Sequence, residues 1–199
     1  MAEKRFFPDL SDEKSSWNTC VQMAHSGPDS SSPTILHTYI SLISNAKTCI
    51  DITTPYLIPN QEFITALIIA AHSGVKIRLL LPKVWDGKIV EYASRGYYAW
   101  LLKSWIEIHE YTKGFIHAKT LVKDNEVSII GTANLDIRSF DLNFEIISLI
   151  YDAGTAKRMS EMYDMDLQDA KQVDLETFRQ RSRFTELLQE IAKLFSSIL

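Results

Sequence analysis

Gly114-Phe115-Ile116-His117-Ala118-Lys119-Thr120-Leu121-Val122-Lys123-Asp124, running on through Asn125 to Ile130 and closing with Gly131-Thr132-Ala133-Asn134, is the stretch around which this chain is organised. Its fixed positions read His-x-Lys, four residues, Asp, six residues, then Gly-Thr-x-Asn. Apolar and β-branched residues dominate Phe115 to Lys123, which predicts a strand. Glu126 to Ile130 predicts a second, with Asp124-Asn125 as a two-residue hairpin turn between them. Strand side chains alternate between faces, so His117 and Lys119 share one. Thr132 and Asn134 share a face if the strand continues through them. Gly131 adds no side chain and lets backbone approach a ligand. The result is an imidazole, an ammonium, a hydroxyl and a carboxamide together. That set suits a phosphoryl centre, with one nucleophile or proton carrier, one cation and two neutral hydrogen-bonding groups. His-x-Lys alone is more readily a pair of ordinary strand residues. For all fixed positions together, chance is on the order of one in 100,000 for a chain of this length.

The 199 residues suffice for one good-sized domain with a substantial core. Hydrophobic residues at 46% and charged residues at 23% are those of a globular protein. The net charge of −4 supplies no global basic field, which counts against nucleic acid as partner. Cys20 and Cys49 can pair, but nothing demands it, and two reduced thiols are the simpler expectation. Neither has other metal ligands at a recognisable spacing, and no metal or cofactor is expected. The longest apolar run, Phe63 to Ala71, falls short of the ~20 residues that cross a bilayer and reads as a buried helix. No apolar signal core follows Met1.

Three segments are expected: an arm or linker over 1–19, one catalytic domain over 20–170, and a helical tail over 171–199. Val21 to Ala24 starts the domain as a strand, and Ser26-Gly27-Pro28-Asp29 opens a loop. Ser32 caps a helix that has Pro33 at its first position and Ile35, Tyr39, Leu42 and Ile43 as its apolar stripe. Thr48 to Tyr56 is a strand. Pro59 opens a second helix that Gly74 ends, and Val75 to Leu81 is a strand. A helix over Ile89 to Trp105 and a strand over Ile106 to Tyr111 lead into the hairpin. Beyond it come a loop over Leu135 to Phe144, a strand over Glu145 to Tyr151 and a helix over Thr155 to Leu167. Such alternation predicts an α/β layered fold with a mixed β-sheet flanked by helices. From Phe184 the tail is amphipathic through Leu187, Leu188, Ile191, Leu194, Phe195 and Ile198. It reads either as a membrane-surface helix or, more simply, as one docked on its own domain or a partner, and Glu186 and Glu190 weaken the first reading.

The motif resembles the signature of the phospholipase D superfamily, with Thr132 where Ser is also common. Its flanks narrow the likeness. Ser26 to Asp29, Ile52-Thr53-Thr54-Pro55-Tyr56-Leu57-Ile58-Pro59 and Ser94-Arg95-Gly96-Tyr97-Tyr98 precede it, and Leu135 to Glu145 follow. Together they look like the C-terminal catalytic half of a bacterial cardiolipin synthase, over roughly residues 20 to 199. The resemblance implies a phosphatidyltransferase that works through a phosphohistidine on phosphatidylglycerol. One His attacks the phosphodiester and a second protonates the leaving oxygen, then serves as base for the incoming alcohol. By the same resemblance Lys119 neutralises phosphate oxygens, Asn134 donates to one, Thr132 assists, and Glu145 holds the second nitrogen of a motif His. Peripheral contact at the cytoplasmic face of the inner membrane is implied as well.

Other residues near the motif read less sharply. Asp124 has parity opposite to His117 and Lys119 and belongs to the turn and scaffold. Arg138 either binds phosphate or braces its loop. Tyr56 and Arg95 are further candidates for lining the cleft. Trp105-Ile106 replaces the Gly-Val usual in the family, and His109 stands where an aromatic residue is common. His25, His37, His72 and His109 are followed two positions later by Gly, Tyr, Gly and Tyr, so none begins a second motif. Family sites pair two motifs. The chain is therefore either a fragment or half of a site completed by a homodimer mate or a separate first catalytic half. A lone monomer is expected to be nearly inactive. A phosphodiesterase of the same fold, as phospholipase or single-motif nuclease dimer, remains open, as does a non-catalytic half that binds lipid or a partner.

Overall fold

Alternating apolar residues in Cys49–Thr53, Lys76–Pro82 and Glu107–Tyr111 build three adjacent parallel strands. Their side chains Ile50, Ile52, Ile77, Leu79, Leu81 and Ile108 all turn into one core. Each fully buried aliphatic side chain there contributes about 1.5–3 kcal/mol. The computed structural model of the chain describes residues 19–196. The expected arm over 1–19 lies outside them except for Thr19, and so does Ile198 of the tail.

In chain order the first half contains β1 (Cys20–Ser26), α1 (Thr34–Ser44), β2 (Cys49–Thr53), β3 (Leu57–Ile58), α2 (Gln61–His72), β4 (Lys76–Pro82), α3 (Lys88–Lys103) and β5 (Glu107–Tyr111). The second half contains β6 (Thr120–Lys123), β7 (Val127–Gly131), β8 (Leu135–Asp136), α4 (Ile137–Asp141), β9 (Glu145–Tyr151), α5 (Ala153–Leu167), β10 (Ala170–Gln172), α6 (Leu175–Arg179) and α7 (Arg183–Lys193). Eight of the described strands form one mixed sheet in the order β1-β9-β7-β6-β2-β4-β5-β10, and β3 and β8 make a small parallel pair. The expected α/β architecture is therefore present.

Helices α1 and α2 cover the core face of the sheet, where Tyr39, Phe63 and Phe140 meet with ring centroids 5.9–6.1 Å apart. Phe140 ties α4 to that cluster. On the opposite face α5 is held by Asp51, 2% exposed on β2, whose carboxylate takes Arg78 Nε at 2.6 Å and Nη2 at 2.7 Å. Arg78 also reaches Asp164 of α5 at 2.7 Å and lies 4.8 Å from the Tyr163 ring centre. Helix α5 leaves the β1–β9–β7 end of this face uncovered, and Val21, Met23, Ile130 and Ile146 are exposed there.

Several sequence expectations need correction. The strand predicted over Phe115 to Lys123 begins only at Thr120. Its ladder partner β2 ends at Thr53, opposite Thr120, so residues 115–119 have no neighbour on that side. Strand β2 stops at Thr53 rather than Tyr56, and the Thr54-Pro55-Tyr56 break sends Leu57 and Ile58 to a separate pair. Ser32 does not cap α1; the Ser26 hydroxyl accepts the Ile35 N–H at 3.0 Å instead. Asn60, not Pro59, opens α2 by accepting the Phe63 N–H. The loop over Leu135 to Phe144 contains β8 and α4. The tail begins by adding β10 to the sheet beside β5, a strand too short and polar to read from the sequence.

Helices α2 and α3 end alike. Gly74 (φ 92°) and Trp105 (φ 62°) occupy the same left-handed position after the helix. In each case the next N–H reaches back five residues, Val75 to Ala70 and Ile106 to Leu101. Gly74 takes this conformation freely, whereas Trp105 does not.

Candidate active site

The motif residues gather where β6 begins and β7 ends. The tip of that hairpin is built by Asp124 and Asn125, both left-handed (φ 53° and 54°), with the Glu126 N–H donating to the Lys123 carbonyl at 3.0 Å. Lys123 pairs with Val127, so three residues rather than two separate the strands. The Asp124 carboxylate accepts the N–H groups of Lys47, Thr48 and Cys49 at 2.7–3.1 Å and the Thr48 hydroxyl at 2.9 Å. Burial pushes its pKa up, but those donors outweigh it and hold the carboxyl well below the usual range. Asp124 thus fixes the hairpin to the start of β2, at the end remote from His117.

At the other end the Gly131 N–H donates to the Lys119 carbonyl at 3.2 Å, continuing the pairing one step past the regular ladder. A Cβ on Gly131 would stand 2.5 Å from the Ile146 carbonyl oxygen and 2.6 Å from Ile147 Cγ2. The close approach that Gly131 permits is to strand β9. Its neighbour Thr132 exchanges hydrogen bonds with the Ile146 backbone at 3.0 Å, and its hydroxyl donates to Glu145. Asn143 Nδ2 donates to the other Glu145 oxygen at 3.5 Å. Glu145 begins β9, so the 132–134 and 143–145 segments are tied together.

His117 is exposed, with its ring centre 5.5 Å from that of Phe115, which in turn lies 6.2 Å from Tyr56. The aromatic neighbour two positions before the histidine was not singled out from the sequence; alternation along an extended segment is the signal that would have found it. Lys119 is half-buried and its Nζ donates to the His117 carbonyl at 2.8 Å. Burial lowers the pKa of the ammonium from the ordinary lysine value, against the raising influence of Glu145 and Asp136. No hydrogen bond joins Glu145 to His117 among the described residues; Glu145 is engaged by Thr132 and Asn143.

Asn134 is half-buried, and its Oδ1 is covered without a partner among the described residues. A carboxamide flip exchanges donor and acceptor at that point. Asp136, two residues on, caps α4 by accepting the Ser139 N–H at 2.7 Å. Burial raises the Asp136 carboxyl, and the hydrogen bond from the Ser139 N–H opposes the rise. Arg138 is exposed and lines a cavity of about 360 Å³ with Tyr56, Ile58, Asp86, Val90 and Asp136. The Tyr56 hydroxyl donates to Asp86, and burial together with that carboxylate pushes its pKa up to about 12. Arg95 is not with these groups. It pairs with Glu110, which also takes Lys83 at 2.5 Å, in a separate cavity of about 460 Å³ beneath α6 and α7.

The remaining histidines stay apart from the motif: His25 and His37 are exposed, His72 packs 5.1 Å from Trp105, and His109 is buried in β5. Cys20 and Cys49 are free thiols. Among the described residues no cluster of three or more His, Cys, Asp or Glu could hold a metal ion. No described helix is long and apolar enough to cross a membrane.

The arrangement offers an exposed imidazole, a partly desolvated ammonium bonded to the carbonyl of the same histidine, and a hydroxyl–carboxylate pair. The family described as "Cardiolipin synthase, PLD-like domain" matches residues 39–167. A cardiolipin synthase of Geobacillus sp. (strain WCH70) is 42% identical over 179 residues, 90% of this chain and 36% of that protein. Cardiolipin synthase 2 of Staphylococcus epidermidis is 38% identical over 197 residues, 99% of this chain and 40% of the relative. The chain thus spans well under half the length of either. Among solved structures, phosphatidylserine synthase of Haemophilus influenzae superposes with a TM-score of 0.71 at 14% identity, covering 90% of this chain and 46% of that one. Nuc from Salmonella typhimurium, a phospholipase D family member, superposes with a TM-score of 0.67 at 20% identity, covering 78% and 98%. Both superpositions speak for the fold. Matched by the family over more than half its length and closely related to named synthases, this chain belongs to the cardiolipin synthase, PLD-like domain family.

Proposed function

We propose that this chain supplies one half of a phosphatidyltransferase centre of cardiolipin synthase type, with phosphatidylglycerol as substrate. One observation supports the reading: in a chain of this family the Lys119 carbonyl accepts the Gly131 N–H at 3.2 Å, which brings the His117–Lys119 segment beside the one that continues into Thr132 and Asn134. In the first step an imidazole nitrogen bonds to phosphorus and the bond from phosphorus to the leaving glycerol oxygen breaks. A second imidazole gives that oxygen its proton. In the second step the same imidazole takes the proton of the incoming lipid hydroxyl, whose oxygen displaces the histidine nitrogen from phosphorus.

His117 is one of the two imidazoles. The other comes from a second copy of the motif, in a homodimer mate or in a further half of the size that the longer relatives leave room for. Lys119, partly withdrawn from water, neutralises the non-bridging phosphate oxygens more strongly than an exposed lysine. Asn134 donates to a phosphate oxygen, and Arg138 reaches the same phosphate from the cavity rim. Glu145, held by Thr132 and Asn143, orients a histidine ring.

The test is solution mass by light scattering, run beside a phosphatidylglycerol transfer assay on the same sample. Cardiolipin made by a dimer, and lost in His117→Ala, is the expected result. Full activity in His117→Ala removes the mechanism; an inactive monomer that gains activity with a separate first half assigns the second imidazole to that half. Exposure of His117 in the single chain favours hydrolysis as a second reading, because water reaches the same phosphorus. Phosphatidic acid in place of cardiolipin distinguishes it.

A further inference from the structure

The C-terminal segment encloses a charged strand end and makes a cavity of it. Glu110, 3% exposed near the end of β5, is a carboxylate that burial obliges to be compensated. Two cations do so: Lys83 Nζ donates to one oxygen at 2.5 Å, and Arg95 of α3 donates to the other. Lys171 of β10 lies directly opposite Glu110 in the antiparallel ladder, so its side chain leaves the sheet on the same face. Arg181 and Gln189, from the start of the last turn and from α7, complete the wall of the cavity of about 460 Å³.

Neither charge nor hydrogen bonding is balanced within that cavity. Four cationic side chains line it against two carboxylates, in a chain whose net charge is −4. Glu110 already serves two of the cations. The other carboxylate, Asp174, accepts the Thr177 N–H at 2.7 Å as the cap of α6. Arg181 is held in place: Nη1 donates to the Phe178 carbonyl at 3.1 Å, Nη2 donates to Glu186 at 3.3 Å, and the guanidinium lies 4.4 Å from the Phe178 ring centre. Yet the Nε–H groups of Arg95 and Arg181 are buried without an acceptor among the described residues. The amide oxygen of Gln189, a residue 2% exposed, is likewise buried without a donor. A flip of that carboxamide presents N–H groups instead. Native interiors match such groups, so three of them on the lining of one cavity call for an external partner. Two fixed N–H donors and an excess of positive charge select an anion with several acceptor oxygens.

We propose that this cavity binds the phosphate group of a phosphomonoester or phosphodiester, held by Arg95, Lys171, Arg181 and Gln189. Glu110 does not repel the anion, because both its oxygens are engaged by Lys83 and Arg95. Its part is to hold those two cations where they are. The site is separate from the one at the motif: none of His117, Lys119 and Asn134 lines it, and Tyr56 and Arg138 line the other cavity. It stands independently of the transferase reading. Free phosphate and a lipid head group offer the same oxygens, and the experiment separates them.

The arginine Nε–H resonances of the full chain are followed by NMR at constant ionic strength while inorganic phosphate or dihexanoylphosphatidylglycerol is added. The Arg95 and Arg181 signals are expected to shift saturably. A response to phosphate alone assigns the free anion and a response to the lipid alone assigns a head group; either supports the site. Lys171→Glu is expected to raise the apparent Kd roughly tenfold or more, and Gln189→Leu several-fold, with unchanged circular dichroism. Lys171 is exposed, so its variant decides the matter even if Gln189→Leu loosens the tail. Lys119→Met is expected to leave the shifts unchanged. The absence of a saturable shift with either probe overturns the proposal, since water then serves the unmatched groups. So do shifts that Lys119→Met abolishes and Lys171→Glu spares, because the anion is then bound at the motif.

Discussion

Lys119 folds back so that its ammonium donates a 2.8 Å hydrogen bond to the carbonyl of His117, two residues earlier. The cation is thereby pinned beside the histidine by the backbone of the same short segment, although residues 115–119 lie outside any regular strand. On the proposed mechanism, a phosphate arriving at His117 meets a charge already placed. Lys119→Met is expected to lower transfer by about 10²–10³-fold, the usual cost of losing one charge-stabilising donor. Its thermal midpoint should stay close to that of the unmodified chain, since the His117 carbonyl faces solvent. A transfer rate within a few-fold of normal would contradict the placement.

Asp124 makes a different prediction, because its four hydrogen bonds all go to the segment before β2. Asp124→Ala leaves three N–H groups without that acceptor and is expected to cost about 2–4 kcal/mol in urea unfolding. The carboxyl is held below its ordinary value of 3.8, so its stabilisation is present above that pH and is lost as pH falls further. Asp124→Asn should flatten the stability curve over that acidic range.

His109 acts in a higher window. Burial lowers its pKa from 6.5, against the pull of Glu107 at 3.3 Å. The unfolded chain takes up a proton near pH 6.5 and the folded one only at lower pH, so stability is expected to fall as pH drops below 6.5. His109→Phe should remove that slope. An unchanged slope in the variant would assign it to another group.

Trp105 carries a conformational cost that can be removed. Its φ of 62° at the end of α3 suits glycine, and the side chain is 76% exposed. Trp105→Gly is expected to raise stability by about 1 kcal/mol, offset in part by the lost packing against His72. Chemical denaturation of both forms settles the sign.

The strand–helix alternation and the long helices were legible because apolar period alone sets them, as Phe63, Leu67 and the glycine stop at Gly74 illustrate. Where β6 begins was not legible. Strand propensity runs from Phe115 without a break, and only the ending of β2 at Thr53 decides that hydrogen bonding starts at Thr120. Gly131 was readable as a position that excludes a side chain, but the neighbour that excludes it, β9, is fourteen or more residues away in sequence. Tyr56 and Arg138 fall beside one cavity and Arg95 beside another, a separation no local pattern records.

By itself the sequence determined the α/β class and the family, and it singled out His117, Lys119, Thr132 and Asn134 as candidates, because spacing and chemistry are written along the chain. Tertiary structure alone decided that Glu145 meets Thr132, that Lys119 is half-buried, and that α7 docks by its small and polar face. Those outcomes depend on which distant backbones leave room and which fill it, and the amphipathic pattern of α7 does not say which side finds a neighbour.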